Sequence, residues 1–271
     1  MAELSFQALE QAGWIAKAGD YDGLFATITD QAIAPILDSL GPLEGKRLLD
    51  VACGTGHIAG AAASRGARCE GIDFATTMVD MARSLNPGVL FREGNAEQLP
   101  FDDNSFDTVA CGFGLLHMAQ PERVVREAWR VLRNGGRYVF TVWCGPAQGG
   151  DFFKLVMDAV QEHGSVDVPL PPAPPVFRFA DPKESKEVLT AAGFVDPKVS
   201  VLPLSWRVER PEGVIDLIYK SAVRLPMVID AQAAIARAAI HRAILEGSEA
   251  FRKDGGIEFR FSASMATATK G

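Results

Sequence analysis

Four short stretches carry side chains whose type and spacing suit chemistry on a nucleotide-sized ligand. In "LLDVACGTGHIAG" (48–60) an apolar run meets a glycine turn and then the start of a helix. A glycine has no Cβ, so a ligand can approach the backbone closely there. Gly54, Gly56 and Ala59 satisfy G-x-G-x-x-[GA], the dinucleotide fingerprint, with a helix N-terminus poised for pyrophosphate. Asp50, four residues before Gly54, points elsewhere. Its carboxylate would repel a pyrophosphate and attract a ligand carrying an ammonium group and a sulfonium. The alternative is an Asp that accepts backbone N–H groups of its own loop.

The second stretch, "GIDFATTMVDMAR", brings Asp73 to a strand end, where an acid accepts both hydroxyls of a ribose or caps the following helix. The third, "EGNAEQLPFDDNSFDTV" (93–109), offers the Asn95 side chain and the Ala96 N–H to the edge of an adenine. A nicotinamide domain does not need that combination. The fourth, "GFGLLHM", sets His117 just past a strand, where a histidine can serve as a base near neutral pH or simply as a polar wall residue.

These residues need a scaffold that brings several strand ends to one edge. Between 46 and 145, apolar runs at 47–52, 67–73, 89–94, 106–112 and 137–143 alternate with helical runs near 57–65, 75–84 and 120–133. That order implies an α/β, doubly wound, mostly parallel sheet covered on both faces. A helix at 151–163 and a proline-rich connector, "VPLPPAPPVFRF", follow. Next come a helix over 185–194 ending on Gly193 and an extended run at 197–208. Residues 211–254 read as a helical insertion, with Ile229, Ala233, Ala236, Ile240 and Ile244 on one apolar face. The alternation of "IEFRFSASMATATKG" predicts a last strand. The expected organisation is one domain: a helical cap (1–45), a core (46–145), a lid (146–182), a core helix with strand six (183–210), a helical lid (211–254) and the last strand (255–271).

Composition narrows the function. At 271 residues, 48% hydrophobic and 23% charged, the chain has the make-up of an ordinary globular protein. A net charge of −7 without a basic run argues against gripping nucleic acid. Cys53, Cys69, Cys111 and Cys144 lack metal-ligand spacing and read as reduced core thiols. The first twenty residues lack a basic n-region and an apolar h-region, and no apolar run reaches membrane-spanning length. A cytoplasmic location is expected, with no metal, a small-molecule partner, and a monomer or a homodimer equally open.

Taken in order, "LLDVACGTG", "GIDFATTMVDMAR", "GNAEQLPFDDNSFD", "GFGLLHM" and "REAWRVLRNGGRYVF" resemble the class I S-adenosylmethionine (SAM) dependent methyltransferases, closest to the ubiquinone/menaquinone C-methyltransferase group. The resemblance implies a seven-stranded sheet with the last strand antiparallel and helical lid insertions. It also implies that Asp50, Gly54, Thr55 and Gly56 wrap the methionine end of SAM and that Asp73 holds the ribose. Phe74 and Met78 would pack near the adenosine, Asn95 and Ala96 would read the adenine, and Gly112 would offer its backbone to the cofactor. The quinone enzymes tend to show Ser where Gly112 stands and Arg-Asn where Leu116-His117 stands, so the acceptor is left open.

A methyl group activated on a sulfonium needs an attacking atom held in line behind it, and a base only when the acceptor must lose a proton. His117 is the candidate base. Trp14, Tyr21 and Phe25, before the first strand, either close the substrate pocket or form a plain core helix. Trp143 and Phe177, with the apolar side chains of the two insertions, are expected to wall a closed pocket for a small apolar or aromatic acceptor, methylated on oxygen or carbon. Two other readings stay open at this point: an NAD(P)-dependent Rossmann oxidoreductase, and a protein that binds SAM without catalysis.

Overall fold

The first two strands of the core each start just after a glycine at positive φ, Gly45 and Gly66, and each leads through a short turn into a helix. The computed structural model describes residues 5–271. The first four residues of the expected cap, and of the segment read as lacking a leader, lie outside the described part. Ser5 caps helix α1 (Phe6–Tyr21), its hydroxyl accepting the Ala8 N–H at 3.2 Å. Two shorter helices follow, α2 (Ala26–Thr29) and α3 (Ile33–Leu40), the latter stopped by Gly41 at φ 79°.

The core then alternates: β1 (Arg47–Val51), α4 (His57–Ser64), β2 (Arg68–Asp73), α5 (Thr76–Leu85), β3 (Leu90–Glu93), β4 (Phe106–Gly112), α6 (Pro121–Val131) and β5 (Leu132–Trp143). These five strands pair in parallel. Helix α7 (Asp151–His163) leads through the proline-rich connector to α8 (Pro182–Ala191), whose cap Asp181 accepts the Lys183 N–H at 2.8 Å. Then come β6 (Phe194–Val208), α9 (Glu212–Ser221), α10 (Arg224–Asp230), α11 (Ala234–Ser248), β7 (Arg252–Lys253) and β8 (Gly256–Lys270).

The sheet order is β3-β2-β1-β4-β5-β8-β6, so the last strand inserts between β5 and β6 and runs antiparallel to both. Neighbouring residues of β1 face opposite layers. Leu48 packs with Ile36, Leu37 and Ala59, whereas Leu49 packs with Val109, Val124 and Ala128. Both layers are wholly buried at these positions, which is why the parallel strands read as continuous apolar runs. Among the described residues no helix is long and apolar enough to cross a membrane. All four cysteines are buried and free.

Two expectations need correction. The sheet has eight strands, not seven. The extra strand, β7, is half of a hairpin closed by Asp254 and Gly255, at φ 48° and 80°. An Asp-Gly pair in the left-handed region makes a turn that turns the strand back on itself, and "KDGG" falls where the helical insertion was expected to end. The apolar stripe from Ile229 to Ile244 is not one helix either. The chain breaks between α10 and α11, leaving Ala233 exposed while Ile229, Ile240 and Ile244 stay buried.

Candidate functional site

The carboxyl ends of β1, β2 and β4 meet at the middle of the sheet, where the strand order reverses and ligands of doubly wound folds bind. After β1 the backbone turns through Ala52 (φ 54°), Gly54 (φ 52°) and Gly56 (φ 85°) into α4. The two glycines do different work. A Cβ on Gly56 would lie 2.6 Å from the Phe91 ring, so this residue allows close packing and is not among those lining a cavity. A Cβ on Gly54 would meet nothing within 4 Å, and Gly54 lines the main cavity. Ala52 and Phe113 (φ 56°) hold left-handed backbone although neither is Gly, Asn or Asp. Both line that cavity, and strain of this kind collects where a wall is built for a ligand.

Asp50 is 1% exposed. Its Oδ2 accepts the Ala59 N–H at 3.0 Å, and its buried Oδ1 has no partner. Burial pushes its carboxyl up to about 7, and nearby Asp73 adds to the effect. Beside it Thr55 donates to Asp22 at 2.7 Å, and His57 sits between Asp30 (2.7 Å) and Asp22 (3.3 Å). The hydrogen bond that the His57 ring donates to the Asp30 carboxylate raises the His57 pKa. Gly112 closes this compartment, where a Cβ would come within 2.5 Å of Ile58. A recess of ≈ 60 Å³ lies among these groups. Its donor set, an acid with an idle oxygen among further carboxylates, suits a cationic group.

This electrostatic arrangement has a measurable consequence. Unfolded, Asp50 titrates near 3.8; folded, it titrates near 7. Between these values the native state holds a proton that the unfolded chain lacks, so the contribution of Asp50 to stability falls as pH rises through that window. Asp50→Asn keeps an oxygen for Ala59 and removes the charge. We expect the ligand-free variant to exceed the wild type by about 4 kcal/mol at pH 8 and by less than half of that at pH 5, the gap closing only below the unfolded value of 3.8, as read by urea unfolding at both pH values. A constant gap would show that Asp50 is not titrating in that window.

Asp73 ends β2 and is 6% exposed. Its Oδ2 accepts the Gly54 N–H and its Oδ1 the Ala75 N–H, each at 2.9 Å. Two acceptor positions remain, one on each oxygen, for a pair of hydroxyls. Phe74 and Met78 line the cavity beside it, and Gln11 of α1 donates to the Phe74 carbonyl at 2.7 Å. Asn95 uses its Oδ1 to accept the Glu97 N–H at 2.8 Å. With Ala96 it lines a narrow cleft shared with Asp73 and His117 and bounded by Gln7 of α1.

The main cavity, ≈ 480 Å³, brings Trp14, Tyr21, Phe25, Trp143 and Phe177 together with Gly54, Asp73, Gly112 and His117. Phe113 packs against Trp143 with ring centroids 4.3 Å apart, and Phe153 meets Phe177 at 5.2 Å. Ala173, Pro174 and Pro175 of the connector supply a stiff wall. Trp206 lies elsewhere, stacked on Phe259.

Sequence reasoning missed Glu10. It is wholly buried on α1, and its Oε2 lies 2.8 Å from His117 Nδ1 across 107 positions of sequence. Its Oε1 is buried without a partner. The edge-on Trp14 ring packs on the same imidazole at 4.9 Å between centroids. The signal available was a lone acid in the apolar stretch "FQALEQAGW", on the same helix face as Phe6.

Comparison with known proteins adds a second line. A family model described as "Methyltransferase domain" matches residues 49–140. A demethylmenaquinone methyltransferase of Renibacterium salmoninarum is 36% identical over 114 residues, 42% of this chain and 48% of that protein. The corresponding protein of Deinococcus radiodurans is 34% identical over 165 residues, 55% of this chain and 68% of that protein. The match thus spans about half the length of the first relative and two thirds of the second. The crystal structure of the YcgJ protein from Bacillus subtilis superposes with a TM-score of 0.57 at 20% identity, covering 88% of this chain and 97% of that one. At that identity the likeness is one of fold.

Proposed function

The chain belongs to the SAM-dependent methyltransferase family that includes the demethylmenaquinone methyltransferases, and from that membership we propose that it transfers a methyl group to a small, apolar or aromatic acceptor, on oxygen or carbon, by in-line displacement. One observation carries the assignment of the cofactor end. The buried, idle Oδ1 of Asp50 stands among further acids at the end of the central strand, next to a glycine whose missing Cβ leaves open space. A pyrophosphate would be repelled there, whereas an ammonium or a sulfonium would be held.

In this reading Asp50, Gly54, Thr55 and Gly112 hold the methionine end, Thr55 through its backbone because Asp22 engages its hydroxyl. Asp73 takes the ribose, Phe74 and Met78 flank the adenosine, and Asn95 with Ala96 borders the adenine. Gly56 serves by its packing against Phe91. SAM supplies a methyl group already activated on sulfur. The protein orients the acceptor against it, and the apolar walls exclude water from the reacting centre. Where the acceptor must lose a proton, the imidazole of His117 takes it. A carboxylate on Nδ1 fixes the ring proton on that side and leaves the Nε2 lone pair available.

The test is calorimetry with SAM, its demethylated product S-adenosylhomocysteine (SAH) and NADH. Binding of SAM and SAH with silence toward NADH is expected, and binding of NADH alone would overturn the reading in favour of an oxidoreductase. Gly54→Ala places a methyl group into the open space. We expect it to weaken SAH binding about 10–100-fold while lowering stability by only about 1–2 kcal/mol, the strain of a Cβ at positive φ.

A further inference from the structure

The main cavity is walled almost entirely by aromatic, aliphatic and proline side chains, and its charged lining residues are few. Asp73 stands at the ribose position and His117 is engaged by Glu10. The third is Arg224, the first residue of α10. It is half-buried, its guanidinium lies 5.3 Å from the centroid of the Phe6 ring, and among the described residues it makes no ion pair. Lys17 of α1 spends its ammonium on the Tyr219 carbonyl of α9.

A guanidinium held against an aromatic face at the edge of an apolar cavity, with no acid among the described residues paired to it, is free to take its counter-charge from a ligand. From this we propose that the methyl acceptor is an apolar or aromatic carboxylic acid, and that Arg224 is the residue that selects it. The proposal rests on the methyltransferase reading given above and adds the class of acceptor to it.

The geometry favours a carboxylate over a phosphate ester. A carboxylate is a planar monoanion that one guanidinium can satisfy through two parallel N–H bonds. A phosphate dianion would bring a further charge and a third oxygen into a wall of Phe, Trp and Pro. The placement also suits an acid. Phe6, which the guanidinium covers, and Glu10, which holds His117, lie four residues apart on one face of α1. Four helical residues span about 6 Å. Arg224 and His117 line the same cavity, and a cation and a base there suit an aromatic ring that bears a carboxyl arm on one side and a reactive hydroxyl on the other.

The experiment is calorimetry on the SAH-saturated protein with 4-hydroxycinnamic acid, 4-hydroxyphenylacetic acid, their primary amides and 4-hydroxybenzylphosphonate, repeated on Arg224→Gln. The acids are expected to bind the wild type about 10–100-fold more tightly than their amides, the range for a hydrogen-bonded charge pair. Arg224→Gln is expected to reduce that preference to near unity while SAH binds as before. Equal binding of acid and amide by the wild type, or a preference that survives in Arg224→Gln, overturns the proposal. So does silence of every acid on a protein that binds SAH. Tighter binding of the phosphonate than of the acids assigns the cavity to phosphate esters and overturns it as well. Failure of SAH itself to bind would instead count against the methyltransferase reading.

Discussion

Asp73→Asn is expected to weaken SAH binding by about two to four orders of magnitude, the largest single loss at the cofactor end. The size follows from the bonds involved. Hydrogen bonds to a charged group contribute about 1.5–3 kcal/mol each, and a ribose would offer two hydroxyls to the two remaining acceptor positions. Asparagine keeps one oxygen, removes the charge, and turns an NH2 toward either the Gly54 or the Ala75 N–H, which the carboxylate now satisfies. The Gly54 turn would therefore loosen at the same time. Calorimetry with SAH and far-UV circular dichroism on the variant separate a lost ligand contact from a lost fold. Native dichroism with an affinity within threefold of wild type would remove Asp73 from the ribose site. Burial holds the Asp73 carboxyl above the ordinary range, and its backbone donors and the neighbouring His117 pull the other way. Asp73 must be ionised for full strength as an acceptor, so SAH affinity should weaken as pH falls toward its raised pKa.

The second large effect concerns the base. With an acceptor that must lose a proton, His117→Ala is expected to lower kcat about 10²–10⁴-fold, the usual contribution of a positioned base. Glu10 touches neither cofactor nor acceptor in this scheme and acts through the imidazole as a positioning residue. Glu10→Leu fills the same buried volume without an acceptor for the Nδ1 proton, so the ring can turn or change tautomer. We expect kcat to fall about 10–100-fold with KM little changed. Glu10→Gln restores an oxygen at that place and should recover most of the loss. If instead Glu10→Leu raises KM and lowers stability together, with no recovery in Glu10→Gln, the residue is a packing element of α1. Initial rates over a range of acceptor concentrations distinguish the two outcomes.

Most of the scaffold was legible because its signals are local. Strand 106–112 and helix 151–163 lie where β-branched and amphipathic periodicities put them, to the residue. The last strand followed from the alternation after residue 256, and its antiparallel direction from the family resemblance. What escaped depends on where distant segments meet. Glu10 and His117 are joined only when α1 folds over the strand ends, and nothing in either stretch names its partner. Nothing in the sequence singles out Arg224, which stands out only where α10 borders the main cavity and, among the described residues, forms no ion pair. Thr55 and Asn95 line the two smaller recesses, yet their side chains bond to Asp22 and to the Glu97 backbone, and the motif does not show this. The break between α10 and α11 was hidden because Ala233 keeps the apolar spacing while the backbone does not continue.

The place of β8 between β5 and β6 has a consequence for how the molecule is made. A chain synthesised from its N-terminus completes β6 while that strand's sole neighbour in the sheet, β8, has yet to be translated. Residues 209–255 must emerge first, a matter of a few seconds at about 5–20 residues per second. Through that interval β5 shows a bare edge and β6 has nothing to pair with, so a fifteen-residue ribbon waits in the open. Newborn chains are thus most exposed to misassembly late in translation. A slow codon run or a stall between residues 209 and 255 should lower the yield of native protein more than one placed before β5.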